Sequence, residues 1–137
     1  MGLYLCVRNE SDEIDGADFG TYGDFGAFRS FVASQLESGN AGSRFPALML
    51  HSDCDGEWSV AECVTLQDEL LQIGEVMFTL PVVPSIGDWQ QKVLESRAIH
   101  PRNALESFID ASGVPVIMRL MQLIAVAVQN DRPILFQ

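Results

Sequence analysis

The stretch from Leu50 to Ser59, LHSDCDGEWS, packs a histidine, a cysteine, two aspartates and a glutamate around one glycine. Three chemistries suit those residue types. Calcium is the first. With His51 at the first position of a loop, Asp53 and Asp55 fall on the third and fifth. Gly56 falls on the sixth, Ser59 on the ninth and Glu62 on the twelfth. An EF-hand loop needs oxygen ligands at those offsets and glycine at its sharp turn. Histidine is a poor calcium ligand, however, and the residues before it read as a strand. The calcium alternative therefore rests on Asp53, Asp55 and Glu62. Zinc is the second. His51, Cys54, Cys63 and Cys6 are suitable ligand types, but the paired two-residue gap common in zinc sites is missing. The third is a thiolate–imidazole pair of Cys54 and His51, oriented by an aspartate. The surrounding acids oppose it, because a negative field raises a thiol pKa.

A turn explains the same residues without a ligand. Aspartates bond to nearby backbone, and glycine accepts φ values that other residues resist. Ser59 and Glu62 spell a capping box, S-V-A-E, opening a helix. Asp53, Asp55 and Glu57 lie just ahead of that helix, where negative charge is favoured. Trp58 either anchors the turn onto the core or stands out as a contact for a partner. No metal and no cofactor is expected.

The elements that must position this turn follow from periodicity. Leu3–Val7 is a short apolar run that suits a strand covered on both faces. Asn9–Gly20 reads as an acidic loop with a weak edge strand around Ile14–Phe19. Thr21 and Asp24 form an N-cap pair, and Phe25, Phe28, Val32 and Leu36 recur at helical spacing. The spacing predicts a helix over Tyr22–Glu37, ended near Gly39. Ala47–His51 alternates like a strand, with His51 on the face of Ala47 and Met49. Cys63, Leu66, Leu70, Ile73 and Met77 make the stripe of a helix running from the Ser59 cap to about Phe78. Ser85 and Asp88 can cap a third helix with Trp89 and Val93 inward. Asn103 and Glu106 start a helical turn, although SFID reads equally as strand. Pro115 fits the first turn of a last helix. That helix is apolar nearly all round except at Arg119, Gln122 and Gln129, which predicts a central, buried element. Pro133–Gln137 reads as a terminal strand. The sum is an α+β or small α/β layer fold, a sheet of three to four strands packed by about four helices, in one domain over residues 1–137.

Charge narrows the partners. The net charge is −11. Residues 9–28 hold six acids and no Lys or Arg, and residues 45–91 hold eight acids and again no Lys or Arg. Such a chain repels phosphates, so nucleic acid is disfavoured as a partner; the acidity either attracts a basic protein or simply keeps the chain soluble. Lys92, Arg97, His100 and Arg102 form a modest basic cluster that suits a solvated face. No apolar run reaches the length of a membrane span, and the start lacks a basic n-region and cleavage site. The three cysteines include no Cys-x-x-Cys. Reduced thiols in a cytoplasmic protein are expected.

Five segments together add a resemblance: GLYLCV at Gly2–Val7, AGSRFP at Ala41–Pro46, LHSDCDGEWS, ESFID at Glu106–Asp110, and the terminal PILFQ. In that order they resemble the immunity protein 70 family, small bacterial proteins of polymorphic toxin systems. The resemblance implies a non-enzyme that binds and neutralises a cognate toxin domain. It carries over no catalytic residue and no mapped interface. Many toxin domains are basic nucleases, which an acidic inhibitor can mask. The expected binding residues are Asp12, Glu13, Asp15 and Asp18 in the first acidic loop, with Asp53, Asp55, Glu57 and Trp58 in the second. The rival expectation is a small metal-binding or cysteine-dependent enzyme centred on His51–Glu57. The oligomeric state is not written in the sequence.

Overall fold

The computed structural model describes residues 2–84 and 87–137. Four strands form one antiparallel sheet: β1 (Gly2–Arg8), β2 (Glu13–Thr21), β3 (Glu57–Trp58) and β4 (Ile134–Phe136), in the order β2-β1-β4-β3. The helices are α1 (Tyr22–Leu36), α2 (Pro46–Met49), α3 (Val60–Thr79), α4 (Asp88–Ser96), α5 (Ala104–Ser107) and α6 (Val116–Asn130). The fold is therefore α+β.

The sheet forms because β1 is apolar at almost every position. Leu3, Leu5 and Val7 are fully buried and face the helices together with Ala17, Phe19 and Ile134. The alternate residues point the other way: Tyr4 opposite Asp18, and Cys6 between Gly16 and Leu135, with Glu57 beyond. β2 is longer than its acidic composition suggests. It is an edge strand, as read, but it spans nine residues, because pairing with β1 supplies what its Asp and Gly content lacks. Its outer edge is tied down where the Ala111 N–H donates to the Asp18 carbonyl at 2.9 Å.

The two long amphipathic helices begin as the sequence reads. Thr21 and Asp24 close a capping box on α1, and Ser59 and Glu62 close one on α3. Asn103 caps α5 by accepting the Glu106 N–H, and the chain then makes an isolated bridge between Ile109 and Pro115. Both readings of ESFID thus hold in part. The proposed Ser85 cap lies outside the described residues. Trp89 and Val93 are only half-buried on α4, and Gln90 is the buried residue there.

Two expectations are overturned. Ala47–His51 is not a strand. Pro46 opens the short helix α2 at its first turn, and Glu69 of α3 caps it. The Glu69 carboxylate accepts the Ala47 N–H through Oε2 at 3.0 Å and the Leu48 N–H through Oε1 at 2.9 Å. Five residues of alternating pattern are too short to decide between strand and helix, and the remote carboxylate decides. Nor is α6 central. It buries Val116, Ile117, Leu120, Leu123, Ile124 and Ala127, yet Met118 and Val128 are exposed. α6 thus has an outer face despite its composition. Pro115 stands one residue earlier than expected, at the N-cap.

Candidate functional site

The turn from His51 to Glu62 is held from within. Both ring nitrogens of His51 face backbone carbonyls: Nδ1 lies 2.7 Å from the Ser52 oxygen and Nε2 lies 2.8 Å from the Glu57 oxygen. The ring stacks on Phe136 at 4.2 Å and meets Trp58 at 5.2 Å. Trp58 is fully buried, and its indole N–H donates to the Ala47 carbonyl at 2.9 Å. Gly56 takes φ +86, the left-handed region that favours glycine. The Cys54 N–H donates to Ser52 Oγ, and its thiol lies 3.5 Å from the same oxygen. Glu62 Oε1 accepts the Ser59 N–H at 3.0 Å, which completes the capping box.

These contacts engage several of the groups that the stretch offers for chemistry. Both His51 ring nitrogens are directed at backbone carbonyls rather than at Cys54. Glu62 is engaged at the helix start rather than folded back over Asp53 and Asp55. Cys6 and Cys63 are buried while Cys54 is exposed. Burial pushes the Cys63 thiol up to about 11, and burial also raises Cys6. Among the described residues, no three His, Cys, Asp or Glu side chains are gathered as a metal ion requires. Trp58, expected as an aromatic anchor for a partner, instead anchors the turn to the core.

The structure divides the expected acidic residues. β2 and β3 are the opposite edges of the sheet, so the two acidic loops do not merge into one cluster. Glu13, Asp18 and Glu57 nevertheless belong to the sheet face that points away from the helices, and all three are exposed. Tyr4 lies across Gly16 on this face and donates its hydroxyl to Glu13 at 2.8 Å. That bond, with desolvation and the Glu13 charge, pushes the Tyr4 phenol up to about 12. Asp12 is exposed in the β1–β2 turn, where its N–H donates to Asn9 Oδ1 at 2.7 Å. Asp55 is exposed and Asp53 half-buried. Asp15 is different. It points to the helix side and takes both terminal nitrogens of Arg119 on α6, at 2.7 and 3.0 Å. The Arg119 hydrogen bond holds the Asp15 carboxyl below its ordinary value. Asp15 is a structural ion-pair partner, not a free surface charge.

Sequence reasoning missed three residues that set this geometry. Glu37, just past α1, accepts the N–H groups of Gly42, Arg44 and Phe45 through one carboxylate oxygen, each at 3.0 Å. Glu69 caps α2, and its burial raises its pKa. Arg29 donates to the carbonyls of Leu48 and His51 at 3.1 and 2.8 Å and lies over the Phe25 ring. Desolvation lowers its pKa. A charged residue one helical step from an apolar stripe was the available signal at Glu69. Its partners, more than twenty residues away, were not legible.

A sheet backed by helices, with acids on its outer face and edges, makes this a small α+β protein. The chain belongs to the immunity protein 70 family, whose model matches residues 3–136. Membership supports an immunity role and implies a toxin as partner. Comparison with curated proteins and with solved structures gives no match. Three of the five segments that carried the resemblance are the sheet itself: β1, the turn leading into β3, and β4. No helix among the described residues is long and apolar enough to cross a membrane.

Proposed function

We propose that the protein binds and neutralises a cognate toxin domain of a polymorphic toxin system, in the cytoplasm, by occupying the toxin rather than by catalysis. The family match over residues 3–136 carries this reading. The net charge of −11 adds the kind of partner: a basic toxin domain, of which a nuclease is the natural example. Acids on the immunity protein then meet the surface that would otherwise hold phosphates. Asp12, Glu13, Asp18, Asp53, Asp55 and Glu57 steer the encounter, and their benefit is in association rate more than in final affinity.

The test is co-expression with the toxin-like product encoded beside this chain. Rescue of growth together with co-purification is the expected result. Absence of both rejects the proposal. Within a rescued pair, charge reversal at Asp18, Asp55 and Glu57 should slow association by about tenfold or more at low salt while the fold survives. Unchanged association and protection would move the interface off these acids.

A further inference from the structure

An uncovered apolar groove lies between α3 and α6, away from the acidic sheet face. Leu71, Gly74 and Phe78 of α3 face Met118 and Met121 of α6, with Leu105 closing one end. The groove holds ≈ 390 Å³ over a floor of buried Leu70 and Ile117. Phe78 is 61% exposed, Leu71 52% and Met118 50%. Large side chains so exposed and grouped mark an interaction surface. The two helices run antiparallel, since α3 starts beside β3 and α6 ends just before β4, its partner strand. Val64 near the start of α3 and Val128 near the end of α6 are exposed as well, which prolongs the apolar surface toward that end. From Val64 to Phe78 this is about 20 Å of helix, near four turns.

Charge identifies the occupant. The exposed charges of α3 are Glu62, Asp68 and Glu75, and α3 carries no Lys or Arg. The sole cation on α6 is Arg119, which is turned to Asp15. Arg102, near Leu105, is paired with Glu106 at 2.7 Å. A second copy of this chain would bring no unpaired cation on α3 or α6 to meet Asp68 and Glu75. A basic amphipathic helix would place its apolar stripe in the groove and its Lys or Arg residues over Asp68 and Glu75.

We infer that the α3/α6 groove is the docking site for a basic amphipathic helix of the partner protein. The inference rests on the reading that this chain acts by binding a protein, and it separates two jobs. The sheet-face acids steer, and the groove buries the apolar area that holds the complex. Apolar anchors at i, i+3 and i+7 on the partner helix would match the Leu71, Gly74 and Phe78 spacing.

The test uses the whole chain and a synthetic leucine–lysine helical peptide of about four turns. Controls are a scrambled peptide of the same charge and a leucine–glutamate version. Leu71→Gln, Phe78→Gln and Met118→Gln replace exposed side chains and keep the net charge, so simple attraction of a cation is unchanged. Peptide binding that shifts amide resonances of α3 and α6, and that weakens about tenfold or more in Phe78→Gln plus Met118→Gln, is the expected result. Equal binding by the variants, shifts confined to the acidic loops, or equal binding of the scrambled peptide would overturn it. So would a concentration-dependent dimer abolished by the same substitutions, which would assign the groove to a second copy. Co-expression separates the two proposals. Growth rescue that survives the double variant rejects the groove and keeps the immunity reading. Specific peptide binding without rescue by the unaltered chain does the reverse.

Discussion

The turn at residues 51–62 and the groove between α3 and α6 are opposites. The turn holds the reactive residue types; His51 and Glu62 are committed to the protein's own backbone, while Asp55 and Glu57 stand exposed. The groove holds leucine, methionine and phenylalanine, which suggest no chemistry, and it is left open. The contrast has a physical cause. Ser and His find local backbone partners, so much of a turn rich in them is held from within. An exposed apolar side chain can be satisfied only by something outside the chain. For a protein that acts by binding, uncovered area is therefore a better guide than reactive composition.

The largest expected effect breaks the turn. Trp58→Ala removes a fully buried side chain packed on Phe136 and leaves the Ala47 carbonyl without its donor. The loss should be about 3–5 kcal/mol, read by denaturant unfolding. Phe78→Gln, at the groove, should change stability by no more than about 0.5 kcal/mol. If the two losses are similar, the turn is not the structural element described and the groove is not free surface.

The second effect concerns the one cation on the groove's helices. Arg119 is held to Asp15, whose carboxyl lies below its ordinary 3.8 chiefly through the Arg119 hydrogen bond. The folded chain then binds fewer protons than the unfolded one as pH falls past that value. The pair's contribution is complete above the unfolded pKa and is lost as pH drops through the folded one. Asp15→Asn should cost about 1–3 kcal/mol at neutral pH. Its stability difference from the unaltered chain should shrink toward zero in acid. A constant difference across that window would show that the pair contributes through packing alone. Asp15→Asn also frees Arg119, so it should weaken binding of the leucine–lysine peptide more than Asp18→Asn does.

The sequence was most legible where structure is local. The capping boxes of α1 and α3, the apolar run of β1 and the strand at the terminus all declare themselves within a few residues. α2 was read as a strand because its caps come from Glu69 and Arg29, each about twenty residues away. The face of α6 was misread because composition reports how apolar a helix is, not how many layers exist to cover it. Of the expected site, Glu13 and Asp18 lie on strand β2 rather than in a loop and are exposed, while Asp15 is paired with Arg119 and Trp58 is buried. The groove was present in the sequence as excess apolar residues on two helices. Its α6 side was read as core, because only the topology shows that nothing packs over it among the described residues.

The smallest effect gives the sharpest comparison, since it applies one methyl group to each region. Gly56 in the turn has φ +86, and a Cβ there would meet the His51 ring at 3.5 Å, an ordinary contact. Space is available, so backbone strain alone decides, and Gly56→Ala should cost about 1–2 kcal/mol. Gly74 lies inside helix α3, and a Cβ there would meet Ile117 Cγ2 at 3.7 Å, also an ordinary contact. Glycine in a helix interior is about 0.5–1 kcal/mol worse than alanine, so Gly74→Ala should stabilise by that amount. The same change therefore has opposite signs at two sites with equal room. Gly74→Ala also raises the groove floor by one methyl. A thermal melt that rises while peptide affinity falls would mean that the open notch serves binding at the expense of the helix. A rise in both would leave Gly74 as a helix defect and assign the affinity to Leu71, Phe78 and Met118 alone.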